Sequence, residues 1–320
     1  MCLFKRRIRN PKYEPNKKNG GIIPPVNDYR TLHVEIDCNE CMECRKKKAR
    51  EWQVRMLEDI KHNKNGKFVT LTLSNEEINK LVKEADIKET GYEKDNKIAK
   101  VAVRRFLERW RKKYKKSVRH WLVTELGHKG TENIHLHGII WTNEKFETIE
   151  KIWNYGWIYP RYESERSINF VNEKTVNYII KYVSKMDEKH KYYKSKVLCS
   201  AGIGRDYTTK GDYKNNKFNY EKTEETYRTR TGHKIAMPKY WRNKLYTDEE
   251  REILWRIKMD MGVKWVVGEK VKENNEDEYW KLIKWYQQIN RELGYRGWRK
   301  DVQEETEENR IREIMYERRI

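Results

Sequence analysis

Residues 120–141 read HWLVTELGHKGTENIHLHGIIW. Two runs rich in β-branched and aromatic residues, His120–Leu126 and Ile134–Trp141, flank the turn-rich GHKGTEN, the pattern of a β-hairpin. Side chains two apart on a strand share a face. His135 and His137 therefore point the same way, while Ile134, Leu136 and Ile139 are expected to pack behind. A turn symmetric about Gly130 sets Glu125 opposite His135 and Val123 opposite His137. Directly opposed side chains lie about 5 Å apart at Cβ, so Glu125, His135 and His137 form a candidate metal site. A slip of one residue turns Glu125 to the other face, and His128, in the turn, is then the alternative third ligand. With 8 histidines in 320 residues, chance alone supplies about 0.2 such pairs, so the spacing needs company before it means a site.

Working outward, FVTLTLS from Phe68 to Ser74 is a strand, and Ser74 with Glu77 marks a helix start. Helices are expected over 43–62, with Ala49, Trp52, Met56, Leu57 and Ile60 inward, and over 95–116, where Arg and Lys crowd the outer face. Downstream come a short helix over 146–154, a strand over Trp157–Tyr162 and a helix over Asn172–Ser184. The order predicts an α+β fold, a central antiparallel sheet with helices on one face. Prolines and glycines make residues 1–37 an arm, and 200–246 is loop-rich. Thr247 with Glu250 opens a mostly helical C-terminal extension. The expected division is an arm with a cysteine cluster and basic helix (1–66), a sheet domain (67–200), a basic loop-rich segment (201–246) and the extension (247–320).

The helix over 172–184 carries VNYIIKYVSK from Val176 to Lys185. Val176, Ile179, Ile180 and Val183 make one apolar stripe. Tyr178 and Tyr182 lie four apart, so they stack beside it, flanked by Lys181 and Lys185. With 21 tyrosines in the chain, either tyrosine alone reads as the rim of a core. The repeated Tyr–Lys spacing suits a nucleophile instead. A phenol with a pKa of about 10 costs about 4 kcal/mol to ionise at pH 7, and a neighbouring cation lowers that cost.

Charge supports a polyanionic partner. Lys and Arg total 71 against 50 Asp and Glu, a net +21; such a field attracts nucleic acid, although a Lys-rich solvated surface gives the same sign. No apolar run reaches the ~18 residues of a membrane span and the basic N-terminus lacks a signal core, so a cytoplasmic protein with no membrane partner is expected. Cys38, Cys41 and Cys44, in C-x2-C-x2-C spacing, suit a structural zinc ion but are one ligand short; Cys2, Cys199 or His33 is needed to close it.

In this order, FVTLTLS, His135-Leu136-His137, and Tyr178 with Tyr182 resemble the three motifs of the HUH endonuclease superfamily. CNECMECRKKKAREW, HLHGIIW, WNYGWIY, GIGRDY and MPKYW narrow the likeness to the replication initiators of gokushoviruses, within the Microviridae. The motifs span Cys38 to Trp241, about two thirds of the chain. The resemblance implies an HUH-like sheet domain at 67–200 and a rolling-circle initiator that nicks and rejoins single-stranded viral origin DNA. The reaction runs through a 5′-phosphotyrosine, in the cytoplasm of an infected bacterium and alongside the host replication machinery. It implies Tyr178 and Tyr182 as nucleophiles and Glu125, His135 and His137 as ligands of magnesium or manganese. A non-catalytic strand-binding protein is the competing expectation. A conjugative relaxase usually places its histidines after the tyrosines, and here they come before.

Overall fold

The computed structural model describes residues 1–318 other than 163–164, 167–168, 170, 212, 273–274 and 299–301. The chain divides into two units, Met1–Lys48 with Asp212–Lys300 and Ala49–Gly211 with Asp301–Ile320. The first boundary falls inside the long helix Met42–His62. Within the stretch expected to be an arm, β1 (Arg6–Arg9) pairs antiparallel with β2 (His33–Ile36).

The second unit holds the sheet. Strands β3 (Gly66–Leu71), β4 (Arg119–Leu126), β5 (Ile134–Trp141), β6 (Ile158–Tyr159) and β7 (Val197–Cys199) are antiparallel in the order β6-β3-β5-β4-β7. The fold is α+β, and β5, which carries the histidine pair, lies at its centre. Turn symmetry holds: Glu125 faces His135 and Val123 faces His137. Glycine at 138 is required by packing, since a Cβ there would stand 2.0 Å from the Trp121 carbonyl oxygen.

Helices cover both faces of the sheet, which corrects the expectation of one. On one face Val69, Leu71, Leu122, Leu126, Ile134, Leu136 and Ile140 pack against helices Asn75–Glu84, Gly91–Tyr114 and Phe146–Trp153, and against Tyr316 of helix Val302–Glu317. On the other, Trp121, Val123, Ile139 and Trp141 meet Met56 and Ile60 of the long helix and Val176, Ile179, Ile180 and Val183 of helix Glu173–Ser184. The physical reason is that β4 and β5 are apolar at both parities, and an apolar face left to water forgoes about 1.5–3 kcal/mol per large side chain. Ile139 accordingly lies on the histidines' own face, not behind them.

The first unit returns after residue 212 with hairpins β8 (Thr226–Arg228) to β9 (Lys234–Ala236) and β10 (Val263–Val266) to β11 (Glu269–Lys272). The second hairpin interrupts a stretch expected to be helical, with Gly268 at φ +96° in its turn. Cys2, Leu3, Cys38, Cys41, Met42 and Cys44 pack with Val266, Val271 and Ile283 in its core.

Candidate active site

The site is built on the sheet face shared with helix Glu173–Ser184. Across the strands, Tyr159, Thr70, His137 and Val123 stand in one row. His137 is buried and held at both ring nitrogens, Nδ1 being 2.9 Å from the Thr70 hydroxyl and Nε2 2.8 Å from Oε2 of Glu125. Glu125 sits opposite His135 in the ladder yet reaches diagonally to His137. The ring of His135 lies 6.5 Å from that of His137, nearly parallel to it. Burial pushes the His135 imidazole below its ordinary pKa, with the neighbouring His137 adding to the effect. A neutral imidazole is the form that ligates a cation.

The tyrosine helix begins with a reciprocal cap. The Asn172 side chain accepts from the Thr175 N–H at 3.1 Å, and the Thr175 hydroxyl accepts from the Asn172 N–H at 3.3 Å. From the long helix, Gln53 Nε2 donates to Asn177 Oδ1 at 2.7 Å. These contacts fix the turn that carries the tyrosines. Tyr182 stacks flat on His137, with ring centres 4.3 Å apart and planes 4° from parallel. Its hydroxyl donates to the hydroxyl of Tyr178 at 3.0 Å. Tyr178 meets Phe68 edge-on at 5.8 Å and is 47% exposed, whereas Tyr182 is 9% exposed. Burial raises the Tyr182 phenol well above the ordinary tyrosine range; its hydrogen bond to Tyr178 and the charge of Glu125 act in the same direction.

The structure thus gathers Glu125, His137, Tyr178 and Tyr182 on one face, with His135 beside them. Lys181 joins them, its ammonium 3.8 Å from the Tyr178 ring centre and 4.8 Å from that of Tyr182. Lys185 ends the helix as its C-cap, its N–H on the Lys181 carbonyl at 2.7 Å. His128 turns elsewhere, 3.5 Å from Asp187 in a group with His190 and Glu132. Sequence reasoning missed Thr70, because its pairing with His137 joins positions 67 residues apart. Two imidazoles and a carboxylate are a donor set suited to a divalent cation. With Nδ1 of His137 tied to Thr70, its Nε2 is left on the side of Glu125, as a ligand backed by an outer partner would be. The donor atoms of the three do not, however, gather within 4.8 Å of one another.

Among the described residues, the group that does gather within 4.8 Å is Cys2, Cys38, Cys41 and Cys44, all buried. Of the three candidates for the fourth position, Cys2 fills it, while His33 lies on β2 and Cys199 on β7. The Cys38 sulfur is 3.5 Å from that of Cys2 and 3.9 Å from that of Cys44. A tetrahedron with metal–sulfur bonds of about 2.3 Å has edges of about 3.8 Å, whereas a disulfide needs about 2.05 Å. The N–H groups of Phe4 and Cys38 point at the Cys2 sulfur at 3.3 and 3.2 Å. Hydrogen bonding from Cys38 lowers the Cys2 thiol to about 7. These four residues can hold a structural metal ion.

Residues 66–187 match the family model of the ORF2-type Replication-associated protein. The match covers the sheet strands β3 to β6, the histidine pair and the tyrosine helix, and it points to a replication-associated protein. No curated protein and no solved structure matches the chain. Among the described residues, no helix is long and apolar enough to cross a membrane.

Proposed function

We propose that the protein initiates rolling-circle DNA replication by nicking and rejoining single-stranded viral origin DNA through a tyrosine. One observation carries this reading: a buried tyrosine stacked on a histidine held by Glu125 and Thr70, its hydroxyl shared with a second, exposed tyrosine. A merely structural tyrosine pair has no need of an imidazole–carboxylate couple beneath it.

Tyr178 is the better placed first nucleophile, because it is exposed and its oxygen already accepts the Tyr182 proton. Its oxygen attacks phosphorus and the bond from phosphorus to the 3′ oxygen breaks. The proton lost by the phenol is balanced by the one the departing oxygen takes up. A 5′-phosphotyrosine and a 3′ hydroxyl result, the latter free to prime the host polymerase. Tyr182 then serves the second cleavage, and attack by a 3′ hydroxyl on the phosphotyrosine reverses the chemistry and seals the strand. Lys181, close to both rings, offsets negative charge on the phosphate as it passes between them. Glu125, His135 and His137 would hold magnesium or manganese, which supplies Lewis acidity at the scissile phosphate when bound. The four cysteines are assigned to structural zinc on the tetrahedral spacing of their sulfurs. The assigned place of action is the cytoplasm of the infected bacterium, where the host polymerase meets the nicked strand.

The test is to incubate the protein with single-stranded circular phage DNA and manganese and to look for a covalent protein–DNA product. The product should form, and should vanish in the double variant Tyr178→Phe, Tyr182→Phe while DNA affinity persists. Binding without any cleavage by the unaltered protein would favour the strand-binding alternative. Undiminished nicking by His137→Ala would remove the site.

A further inference from the structure

The row across the sheet does not stop at Thr70. It continues to Tyr159 on the edge strand β6, which pairs directly with Thr70. The same register brings Trp157 beside Thr72. The Trp157 carbonyl accepts from the Thr72 N–H at 3.0 Å and from its hydroxyl at 2.9 Å, and the Trp157 N–H donates to that hydroxyl at 2.8 Å. Ile158, between them, is buried in the opposite face's core. Strand alternation therefore turns Trp157 and Tyr159 to the face that carries His137 and the two tyrosines. Trp157 is 65% exposed, and Tyr159 and Tyr162 are comparably open to solvent. Arg161 lays its guanidinium 4.8 Å from the Trp157 ring centre. Strands lie about 4.8 Å apart, so Tyr159 stands about 10 Å from His137 along the row.

Large apolar rings in water need a reason when they cluster. Here WIYPRY places three within six residues at the rim of the candidate site. Their backbone is fixed by the Thr72 contacts and by a close approach at Gly156, where a Cβ would stand 2.6 Å from the Thr72 carbonyl oxygen. A rigid row of exposed rings with an arginine stacked on it is the arrangement that holds unpaired bases, which offer a π-face whatever their sequence. Duplex DNA hides those faces in its own stack. Phosphates passing over the same edge meet a strongly basic protein, net +21.

Resting on the proposed nicking reaction, we propose that Trp157 and Tyr159 form a base-stacking platform that seats single-stranded DNA beside the scissile phosphate, with Arg161 and Tyr162 extending it. The platform selects single strands over duplex, and the histidine–tyrosine face acts on what it delivers.

The test measures fluorescence anisotropy with a labelled single-stranded oligonucleotide, in the Tyr178→Phe, Tyr182→Phe background so that no strand is cut. Trp157→Ala and Tyr159→Ala should each weaken binding about 5- to 150-fold. Trp157→Phe and Tyr159→Phe should stay close to the parent, because a ring remains. Affinity for a duplex of the same sequence, and the salt dependence of binding, should hold, since phosphate contacts are untouched. Circular dichroism should be unchanged, as neither side chain is in a core. Affinity within twofold for the alanine variants, an equal loss on duplex, or phenylalanine variants as weak as alanine would each overturn the platform. Binding is read without cleavage, so the platform survives if the unaltered protein proves unable to nick. Conversely, nicking with no effect of the alanine variants on affinity leaves the reaction standing and removes the platform.

Discussion

Thr70 holds Nδ1 of His137 and so sets which nitrogen of that ring faces Glu125. Outer partners of this kind typically matter 10- to 100-fold for metal affinity or activity. Thr70→Val, which keeps the shape and loses the hydroxyl, should lower the nicking rate by about that factor at low manganese. Its melting temperature should stay near that of the parent. A rate equal to the parent's would mean that the hydroxyl does not orient the ring. At this scale the histidines, Glu125, the two tyrosines and Lys181 were legible, because strand alternation, a short symmetric turn and the helical repeat are local rules. Thr70 was not, since β3 reaches β5 only through the tertiary fold. Lys185 was placed by spacing alone, and spacing does not say where a helix ends.

The tyrosine helix depends on its first turn. Asn172→Ala removes an N-cap that satisfies a helical N–H, a change that costs about 1 kcal/mol. It should lower the melting temperature by a few degrees and slow nicking, while Asn172→Ser restores both; no change in either variant would mean that packing alone holds the helix. The strands make a pH prediction. His120 on β4 is buried, with Nδ1 3.1 Å from the Val118 carbonyl and 3.0 Å from the Ser200 hydroxyl, and burial lowers its pKa. Below pH of about 6.5 the unfolded chain takes up the proton more readily than the folded one. Stability is therefore full above that pH and is lost as pH falls through the lower, folded value; His135 acts in the same direction. Melting temperature should fall between pH 7.5 and 5, and fall less in His120→Gln. An equal fall would assign the effect elsewhere. The elements themselves were legible where pattern is local: hairpin, tyrosine helix and both helix starts. Two-sided coverage was missed although Trp121, Leu122 and Val123 announce it, three consecutive apolar residues that cannot all face one core.

Across the whole molecule, sequence separation decided what could be read. The first unit closes Cys2 onto Cys38, Cys41 and Cys44 and packs them with Val266 and Ile283, residues more than 200 positions away. No local rule joins such distant segments, and the choice among Cys2, Cys199 and His33 stayed open for that reason. Zinc removal gives the test. A chelator or Cys2→Ser should release one equivalent of zinc by mass spectrometry and lower the melting transition of Met1–Lys48 with Asp212–Lys300. A protein purified without zinc yet equally stable would exclude a metal from the four sulfurs.

Arg312, from the helix Val302–Glu317, grips the fully buried Asp95 through Nε at 2.9 Å and Nη2 at 2.8 Å, while Tyr316 donates to the same carboxylate at 2.6 Å. A buried carboxylate stripped of its counterion is destabilising by about 3–5 kcal/mol. A ribosome reads this protein in one direction, so the cleaving unit must wait with an unpaired charge inside it until some 200 further residues have emerged. Premature termination before that helix would thus yield a polypeptide that has every residue of its chemistry and no settled shape in which to use it.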